Sequence, residues 1–359
     1  LTKIQYLFGD GATPVNGLIT SYTGVGSKTL KWETTRSLNV GLDFGIIRNR
    51  ISGSLDVYKT NTYDLLLNRQ VPVMNGFNSV WDNVGKTQNL GIELTLNSEN
   101  IRREHFSWNT DLAFAYNKNK IVELRGDGKD DLTNAWLIGQ PIRVFYDYNV
   151  IGVWQASDDI KNSWQPNAKP GDAKLEDVDG NGQITAADRK VIGSKIPAYT
   201  LGLGNNFSYK DWSLSFFLTG AFDVTKENNF ANIERFLPNN GGNYLSDIHY
   251  WTPENPSTEY VSPGYTPVNN HSYYLDASYL RIRDFSLAYN LPIDRWNMKG
   301  VSSIKAFINA RNLYTFSKVK GYNVEAQSVS AATGNPTTTN VLSPYPVARM
   351  FSLGLNVQF

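Results

Sequence analysis

The chain has 359 residues, 41% hydrophobic and 13% aromatic, with a formal net charge of +1 and no cysteine. So small a charge gives no electrostatic reason to expect nucleic acid or an acidic substrate, and the missing cysteine excludes a disulfide framework and thiol chemistry. No run approaches the roughly 18 apolar residues of a membrane helix; the mean hydropathy of −0.37 suits a soluble protein, but equally a β-barrel whose polar inward residues cancel its apolar outward ones.

Residues 1–30 are rich in Gly and Thr and read as loop. Leu38, Val40, Leu42, Phe44 and Ile46 then alternate with Ser37, Asn39, Gly41, Asp43 and Gly45. A period of two sends successive side chains to opposite faces of a strand. After a tight turn at Arg48-Asn49-Arg50, Ile51, Leu55 and Val57 resume the pattern against Ser52, Ser54 and Asp56, which predicts a hairpin with one apolar and one polar face. A longer connection with Asn75-Gly76 leads to Leu90, Ile92, Leu94 and Leu96, set against Asn89, Gly91, Glu93 and Thr95. The chain turns within Glu99–Glu104 and returns as Phe106, Trp108, Leu112, Phe114 and Tyr116. Residues 118–198 break the pattern with a strand-like Ile142–Trp154 and an acidic loop. Tyr199, Leu201, Leu203 and Phe207 restore it, and Trp212, Leu214, Phe216 and Leu218 return after a Lys210-Asp211 turn. A long connection, Asp223–Tyr273, carries Pro238–Gly242 and Trp251–Pro256. Leu280 and Ile282 are followed by Phe285, Leu287, Tyr289 and Leu291; the change of phase at Arg283-Asp284 predicts a β-bulge. Ile304, Ala306, Ile308 and Ala310 come next, then a loop from Ser317 to about Pro344. In the last stretch Phe351, Leu353, Leu355, Val357 and Phe359 alternate with Ser352, Gly354, Asn356 and Gln358 to the final residue.

These are nine strands of roughly ten residues, the length that crosses a membrane when tilted. The expected fold class is all-β, a membrane-spanning antiparallel β-barrel with long extracellular loops. Short and long connections alternate, and such barrels have short periplasmic turns and long outer loops. If every short turn is periplasmic, residues 118–198 form one extracellular excursion or hold an even number of crossings. Nine strands do not close a large barrel, and an open edge in lipid leaves unpaired backbone groups at several kcal/mol each. The remaining strands are therefore expected N-terminal to Leu1 or in another chain. Leu1–Gly9 has neither a basic region nor a long apolar run, so this N-terminus is expected to be internal to a longer chain.

Several blocks, in order, resemble the SusC/RagA branch of TonB-dependent outer-membrane transporters. Leu30-Lys31-Trp32-Glu33-Thr34-Thr35 with Leu38–Asp43 is similar to "LKWETT…NvGlD", and Asn83–Lys86 with Asn89–Leu94 to "NvGk..N.GvEl". Pro170-Gly171-Asp172 through Asp188-Arg189 and Ile192-Gly193 resembles "pGD..y.DvdgDG.It..Dr..iG". Ser278–Arg283, Ala310–Leu313 and Tyr345–Arg349 resemble the later "SYlRlr", "arNL" and "YP.pr" blocks. The resemblance implies the C-terminal portion of a 22-strand barrel in the cell outer membrane, surrounded by outer-membrane lipid. It also implies an importer of oligosaccharides or peptides that works with a SusD-like surface lipoprotein and is energised by TonB–ExbB–ExbD through a plug segment this sequence does not contain.

The acidic loop 177–188 fits an EF-hand-type pattern. Asp177, Asp179, Asn181, Thr185 and Asp188 put oxygens at positions 1, 3, 5, 9 and 12, Gln183 offers its backbone carbonyl at 7, and Gly182 supplies the turn at 6. The expected cofactor is a structural Ca²⁺; the plain alternative is an Asp/Asn/Gly turn bonded to itself. Position 12 is Asp rather than the usual Glu, and no clear helix precedes the loop. Tyr244, Tyr250, Trp251, Tyr260, Tyr273 and Tyr274 lie in long loops; such rings contact sugars or peptides, or else pack on one another, on a lid protein or at the membrane interface. His105, His249 and His271 lack metal-ligand spacing and read as surface or girdle residues. No Gly-x-Ser-x-Gly elbow or other catalytic frame is present, so no enzymatic activity is expected. The rival readings are a secreted, soluble Ca²⁺-binding all-β glycan-binding module and, less favoured, a barrel enzyme such as a lipase.

Overall fold

A computed structural model describes residues 30–70, 79–227, 248–267, 269, 271–296, 300–319, 323–325 and 347–359. Its strands are β1 (Thr34–Ile46), β2 (Ile51–Gln70), β3 (Ser79–Arg103), β4 (Phe106–Glu123), β5 (Val144–Tyr148), β6 (Val150–Val153), β7 (Ala173–Leu175) and β8 (Arg189–Ser194). They continue with β9 (Tyr199–Tyr209), β10 (Trp212–Phe222), β11 (Thr225–Glu227), β12 (Tyr274–Asp276), β13 (Tyr279–Asn290), β14 (Ser303–Ser317) and β15 (Met350–Gln358). Among the described residues nine of these form one sheet in the order β1-β2-β3-β4-β9-β10-β13-β14-β15. They are the nine strands the alternation predicts.

The ladders keep the apolar residues of neighbouring strands on one face. Trp108 stands opposite Phe207 and Leu112 opposite Leu203 between β4 and β9; Ile308 stands opposite Leu353 between β14 and β15. That face is bare: Leu353 is 82% exposed and Leu355 68%. In water so much apolar surface would be costly; in lipid it is the required outer surface. Aromatics gather at both ends of the band. Tyr116 stacks on Tyr199 at 4.8 Å, and Trp212 meets Tyr289 at 4.6 Å. Tyr199 and Tyr209 end the same strand, so the two belts are about 25 Å apart along the normal of a strand tilted by about 40°.

The bulge falls where the phase changes. Leu218 pairs with Ile282 and Phe217 with Asp284, leaving Arg283 as the extra residue on β13. On the other side Ile282 faces Tyr314 and Asp284 faces Arg311. Asn312, with a φ of 53°, absorbs this second irregularity and donates its side-chain amide to the Ala348 carbonyl at 3.1 Å. The "arNL" and "YP.pr" blocks thus meet across the strand pair, although Tyr345 and Pro346 lie outside the described residues.

β2, β3 and β4 run further than the apolar alternation does. Beyond the band the apolar run on the outer face stops, and a hydrogen bond such as Gln88–Asn61 (2.8 Å) replaces apolar contact as the link between strands. The sequence reading therefore ended these strands too early, and of the connection it placed there only 71–78, including Asn75-Gly76, falls outside the described residues.

The described residues group into two compact units. One comprises 30–40, 57–91 and 118–142; it buries Ile121, Leu124 and Leu137 and carries the ion pairs Lys86–Glu123 and Arg125–Asp131. The other comprises 41–56, 92–117 and the described residues from 143 onward. Its apolar core lies off the sheet, formed by Val153, Ala173, Trp251, Val261, Tyr265 and Tyr273. Residues 124–198 add no strand to the nine-stranded sheet. They leave from β4 and return to β9, its direct neighbour, while β5 pairs with β8 and β6 with β7.

Candidate metal loop and the excursion that carries it

The loop 177–188 connects β7 to β8. β7 is held by β6, with Val150 opposite Leu175 and Val153 opposite Ala173; β8 is held by β5. Just before the loop, Glu176 accepts from Asn149 Nδ2 at 2.5 Å and Lys190 Nζ at 2.7 Å. The Lys190 and Asn149 bonds hold its carboxyl below the usual range. Both ends of the loop are therefore anchored.

Within the loop each acidic side chain accepts hydrogen bonds from the loop itself, although Asp179 is exposed. Asp177 accepts from the backbone N–H groups of Gly180 and Gly182, each at 2.9 Å. Asp179 accepts from the backbone and side-chain nitrogens of Asn181 at 3.0 and 2.8 Å. Asn181 Oδ1 accepts from the Gln183 N–H at 2.8 Å. Gly180 and Gly182 have φ values of 70° and 79°, a backbone that glycine adopts without the Cβ penalty. Asp188 is fully buried and caps the short 3₁₀ turn Ala186–Asp188 through a reciprocal bond with Thr185. Burial acts to raise its carboxyl, but the N–H groups of Thr185, Val178 and Asp179 outweigh that and hold it below the usual range.

One carboxylate oxygen from each of Asp177, Asp179 and Asp188 lies within 4.8 Å of the other two. Each carboxylate oxygen has two lone pairs, so the Asp177 oxygens, which accept one N–H each, can still face a cation, whereas those of Asp188 accept two bonds each and would have to give up one to become a ligand. The donor set is all oxygen, which suits Ca²⁺. The surrounding elements are a strand before the loop and a 3₁₀ turn and strand after it, not the paired helices of an EF-hand.

Two of the loop aromatics singled out from the sequence are core. Trp251 and Tyr273 are 7% and 9% exposed and belong to the cluster that packs Val153 and Ala173 against Val261. Tyr250 meets Tyr260 edge-on at 6.1 Å, and Tyr274 donates its hydroxyl to Asp147 at 2.7 Å. Tyr244 lies outside the described residues. His105 and His249 are exposed, as expected, but His271 is buried at 3% exposure between Tyr265 and Tyr273; the surface or girdle reading is wrong for it. Its sequence neighbours are aromatic and small, and only the fold reveals what encloses it.

Other residues here gave no sequence signal. Gln155 accepts from Trp251 Nε1 at 3.1 Å and donates to the carbonyls of Val153 and Ser257. Gly171, at a φ of 93°, lies where a Cβ would come within 2.6 Å of the Trp251 ring, and its carbonyl accepts the Ser262 N–H at 2.8 Å. The described residues of 143–198 and 248–276 are thus one folded body, and the Gly of the Pro170-Gly171-Asp172 block is at the contact between them.

A sequence profile described as "TonB dependent receptor-like, beta-barrel" matches residues 4–313. The chain belongs to the TonB-dependent receptor β-barrel family. Within that family it is a SusC/RagA-type member. It is 32% identical to TonB-dependent receptor P3 of Formosa agariphila over 97% of this chain and 36% of that protein. It is 28% identical to TonB-dependent receptor SusC of Bacteroides thetaiotaomicron over 99% of this chain and 34% of that one. Among solved structures, the RagAB peptide transporter superposes with a TM-score of 0.68 at 26% identity, covering 97% of this chain and 38% of that chain. The chain spans little more than a third of the length of these relatives. As a TonB-dependent receptor barrel it is an outer-membrane protein of a non-enzymatic transport family, which sets aside both the soluble-module and the lipase readings.

Proposed function

We propose that this chain forms the C-terminal wall of an outer-membrane importer that takes up oligosaccharides or peptides. The observation that carries the reading is the pairing of a lipid-facing sheet with a folded body off the sheet, built from the β4–β9 and β10–β13 connections. Such a body has no use within a bilayer but suits capture of nutrient at the barrel mouth. A SusD-like surface lipoprotein would cover that mouth, and TonB–ExbB–ExbD would supply energy through a plug carried elsewhere in the protein. The names of the relatives, SusC and a RagAB peptide transporter, support the substrate class and the partnership. The test is uptake of labelled oligosaccharide and labelled peptide by cells carrying the full-length gene, its deletion, or a deletion of tonB. Uptake of one class should vanish in both deletions; equal uptake in all three strains would overturn the reading.

Residues 118–198 lie on the extracellular side in this proposal, because the turns at 47–50, 104–105 and 210–211 are all short. The loop 177–188 would hold a structural Ca²⁺ through Asp177, Asp179, Asn181, Thr185 and Asp188, with the Gln183 carbonyl as a further ligand. The ion would neutralise three carboxylates that otherwise repel and give the excursion a rigid point. The convergence of one oxygen from each carboxylate within 4.8 Å supports this.

A further inference from the structure

The outer face of β1 to β4 changes character where the apolar band ends on the side of the long connections. Two residues beyond Leu38 on β1 stands Arg36, beyond Val57 on β2 Lys59, beyond Leu90 on β3 Gln88, and beyond Tyr116 on β4 Lys118, followed by Lys120. A period of two keeps each of these in the column of its apolar predecessor. Hydrogen bonds fix the faces. Thr35–Thr62 (3.2 Å) and Ser37–Thr60 (3.0 Å) join β1 to β2 on the inner side. That leaves Arg36, Lys59 and Asn61 outside, where Gln88 donates to Asn61 at 2.8 Å. On β4 the inner side belongs to Asn119, which accepts the Ile142 N–H at 2.8 Å, and to the buried Ile121, so Lys118 and Lys120 turn outward.

Arg36, Lys59 and Lys118 are exposed and Lys120 is half-buried. Among the described residues no carboxylate pairs with any of them. Lys86, farther along the same face of β3, is already taken by Glu123. Arg36 lies over the Tyr63 ring at 5.7 Å, which positions the guanidinium without neutralising it. Like charges this close repel, so the fold by itself gains nothing from the cluster. From β1 to β4 the cluster spans three strand spacings, about 14 Å. Two residues of a strand tilted by about 40° rise by about 5 Å along the membrane normal. The cations therefore stand at headgroup depth, just above the acyl chains that the band faces, with their stems against apolar surface. At that depth Lys and Arg attract anionic headgroups, and a phosphate accepts several of their N–H groups at once.

We propose that Arg36, Lys59, Lys118 and Lys120 bind the phosphate of a lipid in the outer leaflet, whose acyl chains lie along Leu38, Val57 and Leu90. The neutral Asn61 and Gln88 amides fill the row between the cations and add donors without adding charge. The inference rests on the family's membrane location and on the extracellular placement of the long connections; it is independent of what is imported. Protease access to 177–188 on intact cells reports that placement separately, so a wrong side and a missing lipid site are distinguishable.

The experiment titrates the full-length transporter in detergent with phosphatidate and diacylglycerol of the same chains, which differ only in the phosphate, and counts bound lipid by native mass spectrometry. Wild type should hold phosphatidate in preference by at least about tenfold, since each cation at an anionic surface contributes about fivefold. The preference should shrink as salt rises from about 0.05 M to about 0.5 M. A variant combining Arg36→Gln, Lys59→Gln, Lys118→Gln and Lys120→Gln should hold the two lipids about equally. A second variant loses the same charge elsewhere, through Lys129→Gln, Lys161→Gln, Lys169→Gln and Lys210→Gln, and should keep the wild-type preference. Equal binding of the two lipids by wild type would overturn the proposal even if the first variant fails to fold. So would a preference that survives in the first variant, or one lost equally in the second, which would assign it to net charge. Displacement of phosphatidate by excess inorganic phosphate would make the cluster a site for a free anion and overturn the lipid assignment.

Discussion

Trp251 donates its indole N–H to Gln155 Oε1 at 3.1 Å across 96 residues of chain. The Gln155 amide passes the link on to the Ser257 carbonyl at 3.0 Å, and the Trp251 ring itself closes the core formed with Val153 and Ala173. Two long connections that leave the sheet at different strands are therefore one cooperative unit. Trp251→Ala should destabilise that unit by about 3–5 kcal/mol, and Gln155→Leu by about 1–3 kcal/mol, through the unpaired indole and carbonyl it leaves. Hydrogen exchange checks this. Protection should fall together in 150–175 and 251–265 and stay unchanged in β13 to β15; loss in only one of the two segments would show that they fold separately.

The face assignment of the terminal strand makes a sharper contrast. Leu353 lies opposite Ile308 on the apolar face, and Asn356 opposite Lys305 on the other. Leu353→Lys should cost about 2–4 kcal/mol if it sits near the bilayer midplane, and Asn356→Lys far less. Folding of the full-length protein into liposomes under a urea gradient measures both. Similar midpoints for the two variants would contradict the lipid-facing assignment of β15.

Calcium binding should be visible as protection of the excursion. Bound Ca²⁺ should keep the loop closed; without it, three carboxylates that each bring one oxygen within 4.8 Å of the others repel. A chelator should make 177–188 cleavable by protease added to intact cells, while Asp177→Ala should be cleavable with or without calcium. Affinity in the range of about 10⁻⁴–10⁻³ M suffices outside a cell. Cleavage that is indifferent to chelator and to the substitution would leave the loop as a turn bonded to itself, and cleavage only after the outer membrane is broken would put it on the periplasmic side.

His271 makes the same body sensitive to acid. Burial lowers its imidazole to about 4, against the pull of Asp147, which itself accepts from the Ser272 N–H and the Tyr274 hydroxyl. Above pH of about 6.5 neither the folded nor the unfolded chain protonates this ring. As pH falls from there toward 4, the unfolded chain takes up a proton that the folded one refuses, so stability drops, by about 3 kcal/mol over the whole window. His271→Phe should flatten this dependence. The readout is protease resistance of 248–276 between pH 7.5 and 4.5; parallel profiles for wild type and variant would assign the acid sensitivity to other groups.

The alternation of apolar and small polar residues determined the nine strands, their two faces and even the position of the bulge at Arg283. A period of two is local: each residue declares its face through its immediate neighbours, and lipid on one side makes that declaration unusually clear. The ordered blocks also carried the family. What needed the tertiary structure was everything off the apolar band. The outward continuation of β2 to β4 depends on polar side chains meeting across strands, which no periodicity marks. The exposed-looking Trp251 and Tyr273 became core, and His271 became buried, because residues about a hundred positions away closed over them. Gln155 and Gly171 read as ordinary loop residues until the second connection supplied the Trp251 ring and the Ser262 amide. Sequence pattern reports what a side chain must face when one solvent covers a whole face; it is silent where the neighbour is another distant loop.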